Sequence, residues 1–361
     1  MSKSEGSRNY GIDLLRMVAM LMVVLLHVLG QGGILDASVG IKWKNETLWF
    51  LEISAYCAVN CYALISGYVN SKPKYSSLVL IWLQVAFYTV LITAGFAIFK
   101  PESVGAVQII KSIFPVTSET YWFFSSYFCM SLFLPFLSSA VETLTKKQFG
   151  MSLAVMTVMF SVVSLMAGGD TMDLNTGYSA VWLSYLFLLG AYVRKYGLFK
   201  NITRTKALFG YILCTALSWA VTVFSDSLLV GTSLEVYCGV LVTYTSPTSL
   251  GAGFFLFMLF KQINIGSGLF KKVIGLFSAT SFSVYLLHSH PLVWEYLLKG
   301  RFTSVINEPI PLLVLITLGI AAGIYLFCSI IDIPRHLLFS ALKLKEKLSS
   351  LERRITGKTE G

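Results

Sequence analysis

Long apolar runs separated by short polar loops recur along the whole chain. A hydrocarbon core about 30 Å thick takes about 20 helical residues to cross. A window of that length finds ten candidate spans, at residues 11–30, 48–69, 78–99, 121–141, 150–168, 178–193, 207–225, 236–260, 274–298 and 310–331. The sixth is the shortest. The pattern predicts an all-α integral membrane protein of about ten transmembrane helices. Two further apolar pieces read differently. Residues 105–116 are too short to span and are expected to lie on or dip into the outer face. Residues 334–357 space Leu338, Leu342, Leu348, Leu351 and Ile355 among lysines and arginines, as in a basic amphipathic helix on the anionic inner leaflet. The expected division is a membrane domain over 1–333 and a cytoplasmic tail over 334–361. Chemistry is then expected of the membrane bundle itself.

Composition agrees with the pattern. The 361 residues are 55% hydrophobic and only 13% charged, about half the share usual in soluble domains. That excludes a soluble globular enzyme, a disordered tail and a fibrous protein. On a soluble chain the net charge of +10 would point to nucleic acid. Here 21 of the 28 lysines and arginines fall on one side of the predicted topology and six on the other, with Arg16 inside the first span. By the positive-inside rule both termini are cytoplasmic, in a multi-pass protein of the plasma membrane, and no nucleic-acid partner is needed. The first run lacks a small-residue cleavage site, so no cleaved signal peptide is expected. The six cysteines form no CxxC or Cys/His cluster, and no metal site is expected. Cys57 and Cys61, one turn apart, read as packing residues.

Ionisable groups inside spans are costly and mark functional candidates. The first span carries Asp13, Arg16 and His27. Eleven residues separate Arg16 from His27, which puts them on one helix face with a rise of about 16 Å between them. Asp13 is close enough to pair with Arg16. Asp13 and Arg16 could equally be an interfacial ion pair and His27 an interhelical hydrogen-bonding group, so seen alone the set does not decide function. The ninth span adds Ser278, Ser281, Ser283, Tyr285, His288 and His290, then Pro291 and Glu295. Such a set requires a protein-facing or water-lined interior. The second span ends in Ile65-Ser66-Gly67-Tyr68, followed by Lys72-Pro73-Lys74. The fourth opens with Tyr121-Trp122, a pair common in interface belts, and closes at Leu134-Pro135.

Taken together these segments resemble the acyltransferase 3 family of bacterial membrane O-acyltransferases. The stretch from Arg8 to His27 is similar to its opening signature of an arginine, ten residues and a histidine. Ile65-Ser66-Gly67-Tyr68, Trp122 with Pro135, and Ser281-Phe282-Ser283-Val284-Tyr285-Leu286-Leu287-His288 resemble further family elements in the same order. Many members carry Arg-x-x-Arg after the Ser-Gly element. Lys72 and Lys74 keep that charge without the bidentate fork of two arginines. The resemblance implies transfer of an acyl group, usually acetyl from acetyl-CoA, to a hydroxyl of a cell-surface polysaccharide or lipid-linked glycan. It makes His27 and Arg16 the catalytic pair and assigns Arg16, Ser66, Lys72 and Lys74 to the acyl-CoA donor. Asp13, Trp122, Ser283, Tyr285 and His288 fall to substrate contacts, with Tyr285 and His288 orienting the thioester or its oxyanion. Imidazole titrates near neutral pH and suits proton abstraction from a hydroxyl, while a covalent acyl-histidine relay is the other route. The expected partners are the glycan, acyl-CoA and membrane lipid. An alternative of another class is a secondary transporter or flippase for an amphipathic solute, against which stands the lack of a repeat between the two halves. A sensor or scaffold would call for a partner domain. Acetyl-CoA turnover separates the classes.

Overall fold

The computed structural model describes residues 8–69, 74–197, 199, 201–266 and 268–357, and among these it is helical with no strand. Helix α1 covers Tyr10–Leu29. A broken helix follows as α2 (Lys42–Ala55) and α3 (Ala58–Val69), then α4 (Tyr75–Phe99) and a short surface helix α5 (Ala106–Ile113). Next come α6 (Trp122–Leu132) and α7 (Leu134–Thr143), bent by 56° at Pro135, where the ring removes a backbone donor. Then come α8 (Lys146–Met166), which carries a π-helical stretch at Val158–Val163, α9 (Ala180–Tyr196) and α10 (Arg204–Leu228). The chain ends with α11 (Pro247–Lys261), α12 (Leu269–His288), α13 (Ile310–Ala341) and α14 (Leu344–Thr356).

With the broken α2–α3 helix counted as one, seven helices are long and apolar enough to cross a membrane, or eight if the bent α6–α7 pair is one span. The other two expected spans coincide with shorter helices. The 17 residues of α9 rise about 26 Å and the 15 of α11 about 22 Å. The expected span at 236–260 starts late because Ser246 caps a helix whose first residue is Pro247, a strong start signal, and the chain before it is a series of turns. The span expected at 274–298 stops at His288, and Pro291 opens a separate short helix. The last span runs ten residues past its expected end at 331, through Pro334 to Ala341. Leu338 therefore belongs to α13, and only α14 stands apart as an amphipathic helix. It lies along α4, where the Glu352 carboxylate accepts from the Tyr75 and Ser76 amides at 2.8 and 3.1 Å and caps the first turn of α4.

The first helix sits at the centre, against α12, α13, α3 and α11. Asn9 starts it by accepting from the Gly11 and Ile12 amides. Outer helices present apolar side chains outward, such as Leu91 and Ile98 on α4, Phe209 and Leu213 on α10, and Phe327 and Ile330 on α13. That is the distribution lipid requires. The closest helix contact is between α3 and α9. A Cβ on Gly67 would fall 1.8 Å from the Phe187 carbonyl oxygen, and one on Gly190 would fall 2.1 Å from that of Leu64. Reciprocal glycines thus let the two backbones touch, as small residues do in membrane bundles.

Candidate active site

His27 lies in the last turn of α1 and His288 at the end of α12, and the packing of those two helices brings the rings together. His27 Nδ1 is 2.8 Å from His288 Nε2. The other nitrogen of His288, Nδ1, meets the Val284 carbonyl one turn back. A carbonyl only accepts, so His288 Nδ1 holds the proton and Nε2 offers a lone pair. The shared hydrogen bond must then be donated by His27 Nδ1–H. With both rings neutral, this network leaves His27 Nε2 as an unprotonated, basic nitrogen. The Trp294 ring packs 4.8 Å from that of His27, and Ser289 Oγ lies 3.5 Å from His27 Nδ1.

Beneath His27 is a narrow cleft of about 60 Å³, room for about two waters. Met20, Val23 and His27 wall it from α1, at the three-and-four spacing of one helix face. Tyr62 closes it from α3, Trp122 and Phe123 from α6, and Tyr285 from α12. Trp122 packs on Tyr178 with ring centroids 4.2 Å apart, and Tyr285 lies 5.6 Å from Tyr121. The cleft is therefore aromatic and apolar, and of a size for a two-carbon acyl group.

One turn before Met20 on the same face, Arg16 gives Nη1 to the buried Asp13 carboxylate at 2.6 Å. Arg8 Nε approaches the other Asp13 oxygen at 2.5 Å, and Ser278 Oγ donates at 3.3 Å. The buried carboxylate thus lies between the Arg8 and Arg16 guanidinium groups. The Arg16 side chain keeps 29% of its surface exposed, while its carbonyl accepts from the Tyr62 hydroxyl at 2.7 Å. Guanidinium and imidazole thus stand at opposite ends of one stripe, about 16 Å apart along the axis.

The sequence model for the acyltransferase domain of the acyltransferase 3 family matches residues 9–329. The chain belongs to this family. It is a membrane acyltransferase. Comparison with curated proteins and with solved structures gave no match.

The remaining acyltransferase 3 elements take up varied positions. Ser66 Oγ lies 3.2 Å from the Tyr127 hydroxyl, and the neighbouring Gly67 is the helix contact described above. Lys74 immediately precedes α4 and lines a cavity of about 570 Å³ with Lys345 and Arg353 of α14. Lys72 lies outside the described residues. Ser283 is tied into a different cluster, accepting from Gln84 Nε2 at 2.6 Å and lying 3.5 Å from Arg335 Nη2. In that cluster Arg335 grips Asp332 through Nε and Nη2 at 2.8 and 2.7 Å, and the Tyr88 hydroxyl donates to the same carboxylate. His290 stands apart from the histidine pair and accepts from the Leu292 amide through Nδ1 at 3.2 Å. Among the described residues no group of three His, Cys, Asp or Glu side chains is placed to hold a metal.

Sequence reasoning missed Trp294, Tyr62 and the Asp332–Arg335 pair. The last had a readable signal. Asp332-Ile333-Pro334-Arg335 repeats the spacing of Asp13-Leu14-Leu15-Arg16 at the end of an apolar run, but ending the span at 331 placed Arg335 in the tail. Trp294 and Tyr62 carried no signal, because contact with His27 or Arg16 arises only when distant helices pack.

Proposed function

We propose that this protein O-acetylates a hydroxyl of a cell-surface polysaccharide or lipid-linked glycan, using acetyl-CoA from the cytoplasm. The observation that carries this reading is the His27–His288 hydrogen bond, which makes His27 Nε2 a base at the wall of an acyl-sized cleft. Arg16, at the other end of the stripe, meets the phosphate or amide groups of the donor in this reading. The thin arm of the donor runs between them. The acceptor hydroxyl gives its proton to His27 Nε2 as its oxygen bonds to the thioester carbonyl carbon. The carbon–sulfur bond breaks, and the departing thiolate takes the proton from Nε2. An ester and a free thiol result, and the base is regenerated. The charge that His27 carries meanwhile strengthens its Nδ1–H bond to the His288 lone pair. In the covalent variant the same nitrogen first takes the acetyl group and then passes it to the hydroxyl.

In this reading both termini are cytoplasmic, the histidine end of the bundle faces outward, and α14 lies on the inner leaflet. A cysteine placed at Asp36 should then react with an impermeant maleimide in intact cells, and one at Lys146 only after permeabilisation; the reverse pattern would overturn the orientation. The function itself is tested by comparing surface glycans of cells with and without the protein. The expected result is one acetyl mass added per modified sugar, removable by mild base. Identical glycan masses, together with no thiol release from acetyl-CoA by the purified protein, would overturn it.

A further inference from the structure

A second cavity lies at the histidine end of the bundle, with about 380 Å³ of space, inside the usual range for small-molecule sites. Thr93 near the end of α4, Lys111 and Ser112 of α5, the loop Ser118–Thr120 and the chain after α12 form its walls. That last wall adjoins the histidine pair. Within nine residues, His288–Tyr296, the chain supplies the partner of His27, the Trp294 ring packed on His27, and five wall residues, His290, Pro291, Leu292, Glu295 and Tyr296.

We propose that this cavity is the acceptor subsite and that it takes an uncharged, hydroxyl-rich sugar ring. The inference rests on the reading of the protein as a glycan O-acyltransferase. The wall chemistry separates sugar from the other ligands on hand. Thr93, Ser112, Ser118, Thr120 and Tyr296 contribute hydroxyls; those of Ser112 and Ser118 already donate to the Ile109 and Phe114 carbonyls and offer a ligand their lone pairs. Lys111 and Glu119 bring opposite charges, and the Glu295 carboxylate is held by Lys299 at 2.9 Å. One wall lysine is too little cationic surface for the phosphates of a coenzyme A, and the hydroxyls do not suit an acyl chain. Tyr296 adds an aromatic plane, packed 5.7 Å from Phe96 with the Lys100 ammonium 4.2 Å from its centroid. Glu119 is held at φ 49°, a left-handed conformation in which a non-glycine residue is strained, as is common at ligand clamps. The two cavities thus differ: a small apolar cleft for the acyl group, and a larger, more polar chamber for the alcohol.

Ser118→Cys tests this in intact cells. Each variant is compared with itself before and after reaction with a bulky, impermeant maleimide, and base-labile acetate on the cell's surface polysaccharide is the readout. Treated wild type controls for the native cysteines, and Asp36→Cys for labelling away from the cavity. Labelled Ser118→Cys is expected to lose about tenfold or more of its newly formed ester, the scale on which displacing a reacting group acts, while labelled Asp36→Cys keeps its own. Lys111→Cys, exposed on the same wall, is expected to behave as Ser118→Cys does. If both variants label fully and esterify as before, the cavity is not the acceptor subsite. If untreated wild type adds no ester to any glycan, the underlying reading falls and takes this inference with it.

Discussion

His27 Nδ1 and His288 Nε2 lie 2.8 Å apart although 261 residues separate them in the chain. The Val284 carbonyl decides the direction of that bond, because it fixes the proton of His288 on Nδ1. In the proposed mechanism an uncharged imidazole thus does what a carboxylate does in a hydrolase triad: it holds the base in one tautomer. In a low-dielectric bundle a neutral partner avoids burying a second charge.

In the proposed mechanism His288 is accordingly a positioning residue. His288→Leu removes the acceptor of the His27 bond and should lower kcat by about 10²-fold, with the KM for acetyl-CoA little changed. His288→Gln keeps a side-chain oxygen able to accept from His27 Nδ1–H and should recover much of that loss. Equal rates for the two variants would contradict an orienting role, since a packing residue would not distinguish them in this way.

Arg16→Lys tests the donor end. Lysine still pairs with Asp13 but loses the fork that allows Arg16 to hold a second group. The variant should keep kcat and raise the KM for acetyl-CoA about tenfold. Unaltered kinetics would leave Arg16 as the structural partner of Asp13 alone.

The α3–α9 contact gives a stability test independent of function. Gly67→Ala places a carbon against the Phe187 carbonyl and should cost about 1–3 kcal/mol, the range for overpacking. It should be read as a lower unfolding midpoint in detergent. Gly319→Ala in α13, where a Cβ meets nothing within 4 Å, should be neutral or stabilising by up to about 1 kcal/mol.

The Asp332–Arg335 pair is almost fully enclosed, with side-chain exposures of 0% and 8%. Asp332→Leu strands a buried guanidinium and should destabilise by about 3–5 kcal/mol. The double variant with Arg335→Met should recover most of that. A double variant as unstable as the single would show that Arg335 is not what makes the loss costly.

These residues mark how far the sequence could be read. Apolar runs locate long helices because lipid allows few other ways to satisfy a backbone, so α1, α4, α10 and α13 were legible. The helix at 247–261 was not read at its true length, since hydropathy over 236–260 hides the Ser246-Pro247 start. The end of α13 was misplaced because Asp332 and Arg335 neutralise each other inside the helix. At the site, the shared face of Arg16 and His27 followed from helix geometry alone. The role of His288 did not. The apolar pattern put it in the ninth span and the family resemblance put it among thioester contacts, and only the packing of α12 on α1 brings it onto His27.

The central claim is that His27 Nε2 is the base. His27→Gln retains an amide N–H that can donate to His288 Nε2 but no basic nitrogen. An interhelical hydrogen bond in a membrane is worth only about 1 kcal/mol, whereas a general base contributes about 10²–10⁴-fold in rate. The deciding measurement is the rate of acetyl transfer to the surface glycan by His27→Gln, normalised to folded protein in the membrane. The account predicts a loss of at least about 10²-fold, close to that of His27→Ala, with the amount of folded protein little changed. Transfer by His27→Gln at near the wild-type rate would contradict it and leave His27 as a packing residue.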